Sequence, residues 1–164
     1  MIYVKPATPD PMVPRPALRR RVLALLLAAA CGPAAAQQGP QPRLPTVPLT
    51  AGMHVIQAEV AATPTQQMIG MMGRRSMGAN EGMLFVYEQP DRLCFWMRNT
   101  LIPLSIAFVA DDGRIVHLAD MKPLDETSHC STELVRFALE MNQGWFAKRG
   151  MKKGDRLRGA PFGN

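Results

Sequence analysis

The chain has 164 residues, of which 47% are hydrophobic and 20% are charged, a balance too apolar for a wholly disordered protein. Ten of its 15 prolines precede residue 50, so a proline-rich stretch comes before the globular part. The remaining length, about 115 residues, suffices for one domain with a single core and excludes large multidomain machinery.

Residues 1–36 have the pattern of a secretory signal peptide. Three consecutive arginines precede an apolar run at residues 22–30, and Ala34 and Ala36 satisfy the A-x-A cleavage rule before Gln37. The apolar run is shorter than the roughly 20 residues that a membrane-spanning helix needs. We therefore expect a mature protein without a transmembrane span, located in the periplasm or secreted.

Two features of the leader, its first residue and its cleavage site, each have two interpretations. Translation begins at Met1 or at Met12, because a start at Met12 gives a leader of more usual length. The alternative to cleavage after Ala36 is a lipoprotein box at residues 28–31, in which Cys31 carries the lipid anchor. Its weak point is Ala28, a position where such boxes usually have leucine.

Removal of the leader changes the charge of the protein. Cleavage after Ala36 takes away five basic residues and one acidic residue, which lowers the net charge from +6 to +2. The mature part has no basic stripe and no lysine run interleaved with aromatic residues. The high isoelectric point is therefore no indication of nucleic-acid binding, and we expect no nucleic-acid partner.

Two cysteines, Cys94 and Cys130, remain in the mature chain. In an oxidising compartment, pairing is the default for two thiols. A disulfide closing a loop of this length stabilises a protein by about 3–4 kcal/mol. A redox-active pair or a metal site is the alternative, but the C-x-x-C spacing that favours either is missing.

The first predicted elements follow the leader in order. Residues 37–50 hold four prolines and little periodic apolar content, which predicts an extended, solvated linker. Apolar and polar residues alternate over residues 54–61, which predicts a half-buried strand. Thr63 with Gln66 forms a capping box that opens a helix through about Met72, with Gly73 ending it.

The rest of the single domain, residues 51–164, reads as short strands and turns. Residues 111–113 form a hairpin turn, and a short helix over residues 145–149 stops at Gly150. The predicted fold is mostly β (α+β), a compact antiparallel small barrel or rolled sheet with one or two short helices. Its further strands are expected at residues 83–87, 93–97, 106–110, 115–118, 135–141 and 156–158.

The densest mixture of apolar and functional groups lies at residues 94–108, "CFWMRNTLIPLSIAF". Trp96 and Phe95 can form the wall of a cleft. Arg98, Asn99 and Thr100 would then be hydrogen-bonding groups for a ligand, which is the usual composition of a small-molecule pocket. The alternative is structural: Trp96 packs on the domain, and Asn99 and Thr100 satisfy backbone groups in a turn.

Other chemistries have weaker support. The three histidines lack metal-ligand spacing, and no serine has a G-x-S-x-G context, so we expect no metal site, cofactor or serine nucleophile. Soft thioethers can hold Cu(I), but methionine also fills irregular cores well, which favours packing. The methionines concerned are Met68, Met71, Met72 and Met77.

Three segments resemble the DUF192 family, also called UPF0127, whose members are small, often exported domains of undetermined function. They are "MIGMMGRRSMGANEGMLFVY", "FWMRNTLIPLSIAFVADDGRIVHL" and "FALEMNQGWFAKRGMKKGDRL". One departure is Ser105, where the family commonly has aspartate. The family pattern falls on Gly70, Met72, Arg74, Gly82, Met83, Phe85, Trp96, Met97, Asn99, Thr100, Pro103, Glu140, Gly144, Gly150 and Asp155.

The resemblance implies an exported β-rich domain but supplies no reaction. It favours a binding or accessory module for a small molecule or glycan, with a pocket formed by Trp96, Arg98, Asn99 and Thr100 together with Arg74 and Glu140. One alternative is an envelope enzyme in which Glu140 acts as acid or base beside Arg74 or Arg98. The other is a domain that only binds an envelope protein.

Overall fold

A computed structural model of the protein describes residues 39–162. The predicted signal peptide, its cleavage site and Cys31 lie outside these residues.

Strands dominate the part of the chain that the structure describes. A seven-stranded sheet has the order β6-β5-β8-β3-β2-β1-β9, and β4 and β7 form a separate two-stranded ladder. Every pairing is antiparallel except that of β2 with β3. The strands are β1 (Thr46–Ala51), β2 (His54–Ala61), β3 (Glu81–Asp91), β4 (Cys94–Phe95), β5 (Leu104–Val109), β6 (Ile115–Met121), β7 (His129–Cys130), β8 (Val135–Asn142) and β9 (Leu157–Arg158).

The large sheet curls until its two end strands meet. The backbone N–H of Ile115 at the start of β6 donates to the carbonyl of Asp155 at 2.8 Å, and the N–H of Leu157 donates to the carbonyl of Gly113 at 2.9 Å. A bridge between Arg114 and Arg156 lies beside these bonds. The mostly β, mostly antiparallel rolled sheet that the sequence predicts is therefore confirmed.

Both faces of this sheet are buried. The concave face encloses an inner core to which Leu49, Leu84, Phe137 and Leu157 contribute. The convex face packs under the segments that connect the strands and forms an outer core. Because strand side chains alternate between the two faces, β5 is buried at all six positions. The outer core contains Met71, Met83, Phe85, Leu93, Met97, Ile102, Leu104, Ile106, Phe108 and Ala138, among others.

The disulfide lies in the layer that covers the convex face. Cys94 of β4 and Cys130 of β7 face each other directly in the two-stranded ladder and are bonded. The predicted pairing is confirmed. It joins two covering segments that are 36 residues apart in sequence.

The only α-helix among residues 39–162, α1 (Pro64–Ile69), is shorter than predicted. Its capping box is present: the Thr63 hydroxyl accepts from the N–H of Gln66, whose side chain accepts from the N–H of Thr63. The helix ends at Gly70 and does not extend to Met72, because Gly70 has φ 49° and lies against the ring of Phe85. The second predicted helix is a single 3₁₀ turn, Ala147–Arg149, which ends at Gly150 as expected.

The linker prediction for residues 37–50 is wrong over its C-terminal part. Residues Thr46–Ala51 form β1, in which Leu49 and Ala51 are buried. The prolines suggested a solvated chain, but Pro48 lies where β1 has β2 on one side only, since β9 pairs only with Thr50 and Ala51. A proline is tolerated at such an edge because no N–H is needed there.

Because Gly113 lies where the sheet closes, its replacement is expected to lower the free energy of unfolding strongly. This residue has φ 80°, and a Cβ there would overlap the carbonyl oxygen of Leu157. Gly113→Ala is expected to destabilise the protein by about 2–5 kcal/mol, from the left-handed backbone and the steric overlap together. Gly150→Ala is the matched control, because Gly150 has φ 68° but open space at its Cβ, and it should cost only about 1–2 kcal/mol. Urea unfolding of both variants measures the difference, and equal losses would contradict the role given to Gly113.

Candidate functional site

A cleft of about 390 Å³ lies between α1 and the outer face of the sheet. One side is formed by the helix and the residues just after it, the other by β4 and the segment that follows it. Strands β3 and β8 form its floor through Phe85, Tyr87 and Glu140. The remaining lining residues are Pro64, Gln67, Met68, Ile69, Gly70, Met71, Met72, Cys94, Phe95, Trp96 and Thr100.

Four aromatic side chains line the cleft: Phe85, Tyr87, Phe95 and Trp96. The rings of Phe85 and Phe95 meet edge to face, with centroids 4.9 Å apart, and Phe95 makes a similar contact with Phe108 at 5.8 Å. These contacts hold the inner rings in place. Trp96 lies at the rim and is 46% exposed.

Glu140 supplies the carboxyl group of the cleft. It lies on β8 between Met83 of β3 and Ile106 of β5, and it is only 4% exposed. Among residues 39–162 no side chain or N–H donates a hydrogen bond to its carboxyl group, and no cation forms an ion pair with it. Burial without compensation raises the pKa of Glu140 from 4.5 to about 8. The carboxyl is therefore mostly protonated at neutral pH.

The cleft carries almost no other charge. None of the described residues that line it is lysine, arginine or histidine. Burial raises the pKa of Tyr87, and the neighbouring Glu140 raises it further. Arg136 is on the same face of β8, four residues before Glu140, but its Nε donates to the carbonyl of Tyr87 at 3.0 Å. Its guanidinium also approaches Asp111 at 3.9 Å.

The structure divides the predicted pocket residues into two groups. Trp96, Thr100 and Glu140 line the cleft. Asn99 does not: it has φ 57° in an exposed turn, and its carbonyl accepts from the N–H of Gly73 at 2.9 Å. Asparagine tolerates this left-handed conformation better than most residues, so the structural interpretation of Asn99 is the one that the geometry favours.

Arg98 also lies outside the cleft. Its guanidinium is over the ring of Trp96, 5.5 Å from the centroid, and its Nε is 3.9 Å from Glu126. Both charged side chains are more than half exposed. Arg98 therefore packs on the outer surface of Trp96 and forms no ion pair with Glu140.

Arg74 belongs to a different cluster from the predicted pocket. Its side chain is 12% exposed and donates to Glu59 at 2.8 Å, and Glu59 also accepts from the backbone N–H of Leu44. Arg43 approaches Glu59 at 3.8 Å and Glu81 at 3.0 Å. The proposed pairing of Arg74 with Glu140 is not present, because Arg74 neutralises a buried carboxylate 15 residues earlier in the chain.

Phe95, which was predicted with Trp96 as a cleft wall, lines the cleft. Phe85 and Tyr87 line it too but were not predicted as cleft residues, although alternation along β3 places both on one face. The methionines were noticed for other reasons: Met68, Met71 and Met72 line the cleft, and Met77 packs against the outer core. Met71 is buried, as the packing interpretation requires, whereas Met68 is 68% exposed.

Ser105 has a carboxylate beside it after all. Asp120 of β6 is its direct cross-strand partner and accepts a hydrogen bond from its hydroxyl. The hydroxyl oxygen in turn accepts from the N–H of Gly144 at 2.8 Å. A carboxylate supplied by the neighbouring strand thus lies next to the position where the family has aspartate. It lies away from the cleft at Glu140, in a separate depression with Phe146.

The turn at Asn99 predicts different outcomes for two substitutions. Asn99→Ala should cost about 1–2 kcal/mol, because alanine resists the left-handed conformation. Asn99→Gly should leave stability nearly unchanged, since glycine adopts it freely. Urea unfolding of the two variants tests this. An equal loss in both would show that the amide side chain itself is needed.

The buried carboxyl predicts a pH-dependent stability. Between about pH 4.5 and about 8 the unfolded chain releases the Glu140 proton while the folded protein keeps it. The free energy of unfolding should therefore fall as pH rises, by about 1.4 kcal/mol per pH unit from this group, with no further loss above about pH 8. Glu140→Gln removes this contribution. Glu126→Gln, which removes an exposed carboxyl, should retain it. Urea unfolding at pH 5, 6, 7, 8 and 9 compares the slopes, and identical slopes in wild type and Glu140→Gln would contradict the assignment.

None of the helical segments between residues 39 and 162 has the length and hydrophobicity of a membrane-spanning helix. Several solved structures, including the following two, are similar to the chain. A protein of unknown function from Novosphingobium aromaticivorans is 40% identical, with a TM-score of 0.68 over 71% of this chain and 86% of the other. A protein from Sinorhizobium meliloti, whose description proposes a transcription regulator, is 36% identical, with a TM-score of 0.66 over 70% of this chain and 92% of the other.

No curated protein matches the chain. The profile of DUF192, described as an uncharacterized ACR, matches residues 47–159. This match runs from the second residue of β1 past the end of β9 and includes every residue that lines the cleft. The chain therefore belongs to the DUF192 family.

Proposed function

We propose that the protein is a small-ligand-binding module of the bacterial cell envelope and that its binding site is the cleft above Glu140. The observation that carries the proposal is a buried carboxyl group, without a partner in the described protein, at the floor of an aromatic cleft. Leaving such a group unsatisfied costs a protein stability. A cost of this kind is expected where a ligand supplies the missing partner.

The size and lining of the cleft support the same proposal. A volume of about 390 Å³ is within the range of small-molecule sites. Apolar walls with few polar groups are the usual composition of such sites, and here the polar groups are Gln67, Thr100, Tyr87 and Glu140. The envelope location rests on the leader at residues 1–36 and on the disulfide, which persists in oxidising compartments.

The enzymatic alternative has one observation in its favour, namely that a carboxyl with a pKa of about 8 can exchange a proton near neutral pH. The partners proposed for it are engaged elsewhere, Arg74 with Glu59 and Arg98 with Glu126. The binding proposal needs no second catalytic group. It is therefore the function that the geometry supports best.

NMR titration of residues 37–164 with an uncharged aromatic probe, benzyl alcohol, tests the proposal. The amide shifts are expected to be confined to α1, to the segment after it, and to residues 94–100 and 140. Trp96→Ala should weaken binding severalfold, because it removes a ring from the rim. The control is Leu134→Ala, which removes an apolar side chain that is also exposed, 68% against 46% for Trp96, but lies away from the cleft.

Shifts outside the cleft, or a Trp96→Ala variant that binds as tightly as wild type, would contradict the proposal. Conversion of a ligand into a product would favour the enzyme. A cleft that no small probe enters would favour docking of an envelope protein on the exposed rim formed by Met68 and Trp96.

A further inference from the structure

Among the described residues that line the cleft, two have groups that can ionise. Glu140 and Tyr87 line it, while Cys94 is locked in its disulfide and does not titrate. Both groups become negative when they lose a proton, and no lysine, arginine or histidine is among the described lining residues. An anionic ligand would find no positive partner inside the cleft. The electrostatics favour a neutral or a positively charged ligand.

The aromatic lining favours a positively charged ligand over a neutral one. Phe85, Tyr87, Phe95 and Trp96 line the same cleft as the carboxyl of Glu140. Aromatic faces attract cations, and the attraction grows when the cation leaves water. A site that combines several rings with one carboxyl is the usual means of binding an alkylated or primary ammonium group.

The carboxyl itself lacks the partner that an ionised form needs. Its strand neighbours Met83 and Ile106 are apolar, and no ion pair is formed with it by residues 39–162. A bound cation would supply that partner in a desolvated place, where a charge-assisted contact is strong. The ligand would thus be the cation of an ion pair in which the Glu140 carboxylate is the anion.

We propose that the cleft binds a small organic cation, an ammonium group on an apolar body, with the Glu140 carboxylate as its partner and the four aromatic rings around it. This inference rests on the binding function proposed above and names the ligand class of that site.

The charged groups around Glu140 are compatible with this role. Neither α1 nor β5 contains an ionisable side chain. On β3 the neighbour is Tyr87, and on β8 Arg136 is engaged by Asp111 and by the carbonyl of Tyr87. Arg98, on the segment after β4, lies outside Trp96 and faces Glu126.

Because Glu140 binds a proton, the proposal predicts a particular pH dependence of ligand affinity. A cation binds the ionised carboxyl, so below about pH 8 the free protein must first release the Glu140 proton. Affinity for a cation that does not titrate should rise about tenfold per pH unit from pH 6 to 8 and then level off. A ligand that accepts a hydrogen bond from the protonated carboxyl would show the opposite trend and lose affinity above about pH 8.

The experiment uses three probes of similar shape: benzyltrimethylammonium, benzyl alcohol and benzoate. Residues 37–164 are titrated with each by NMR and calorimetry at pH 6, 7, 8 and 9, in wild type, Glu140→Gln and the control Glu126→Gln. We expect the affinity for the cation to rise up to about pH 8 and to level off above it, with proton release on binding below that pH. We expect Glu140→Gln to lose at least tenfold in affinity for the cation and its pH dependence, while affinity for benzyl alcohol is kept. Glu126→Gln should behave as wild type.

Tighter binding of benzyl alcohol or benzoate than of the cation at pH 9, where Glu140 is ionised, would overturn the inference. A cation affinity that falls above pH 8 would overturn it as well. Benzyl alcohol bound in the cleft without the cation would leave the proposed function standing and remove only the ligand class. Absence of cleft shifts with all three probes would contradict both. The pH series on the wild type needs no variant, so the test remains decisive if Glu140→Gln folds poorly.

Discussion

The structure depends on one constraint, the burial of both faces of a single curled sheet. A sheet of this size has two apolar surfaces, and the curl encloses only the concave one. The convex surface of β3, β5 and β8 therefore needs a cover, which the connecting segments supply as an outer core. The disulfide joins two parts of that cover. The elements that look like loops in sequence are consequently part of the hydrophobic core.

The same constraint explains the chemistry of Glu140. Its strand pattern places it on the convex face, where an open sheet would expose it to water. The covering layer removes that water, and the pKa rises because nothing in the described protein replaces it. Glu59 is another buried carboxylate, but it accepts hydrogen bonds from the guanidinium of Arg74 and from the backbone N–H of Leu44. The contrast between these two glutamates marks the cleft as different from ordinary buried structure.

The segment at residues 95–100 illustrates how far a local pattern can lead. Trp96 and Thr100, two members of this dense cluster of functional groups, line the cleft. Its polar residues serve different purposes: Asn99 adopts a left-handed turn, and Arg98 lies on the outer surface. Polar residues that are neighbours in sequence therefore need not all belong to the same site. Where the chain turns, neighbouring side chains point in different directions.

The sequence by itself determined what depends on short-range physics. The strand at His54–Ala61 and the capping box at Thr63 follow from alternation and local hydrogen bonding. The pairing of Cys94 with Cys130 is a long-range contact that could be predicted only because no other cysteine remains after the leader. The family also followed from local motifs. Only the tertiary structure decided which strand faces are covered, that Arg74 neutralises Glu59, and that Glu140 lines the same cleft as four aromatic rings. These outcomes join segments distant in the chain, and neither periodicity nor residue type carries information about which distant segment covers a given face.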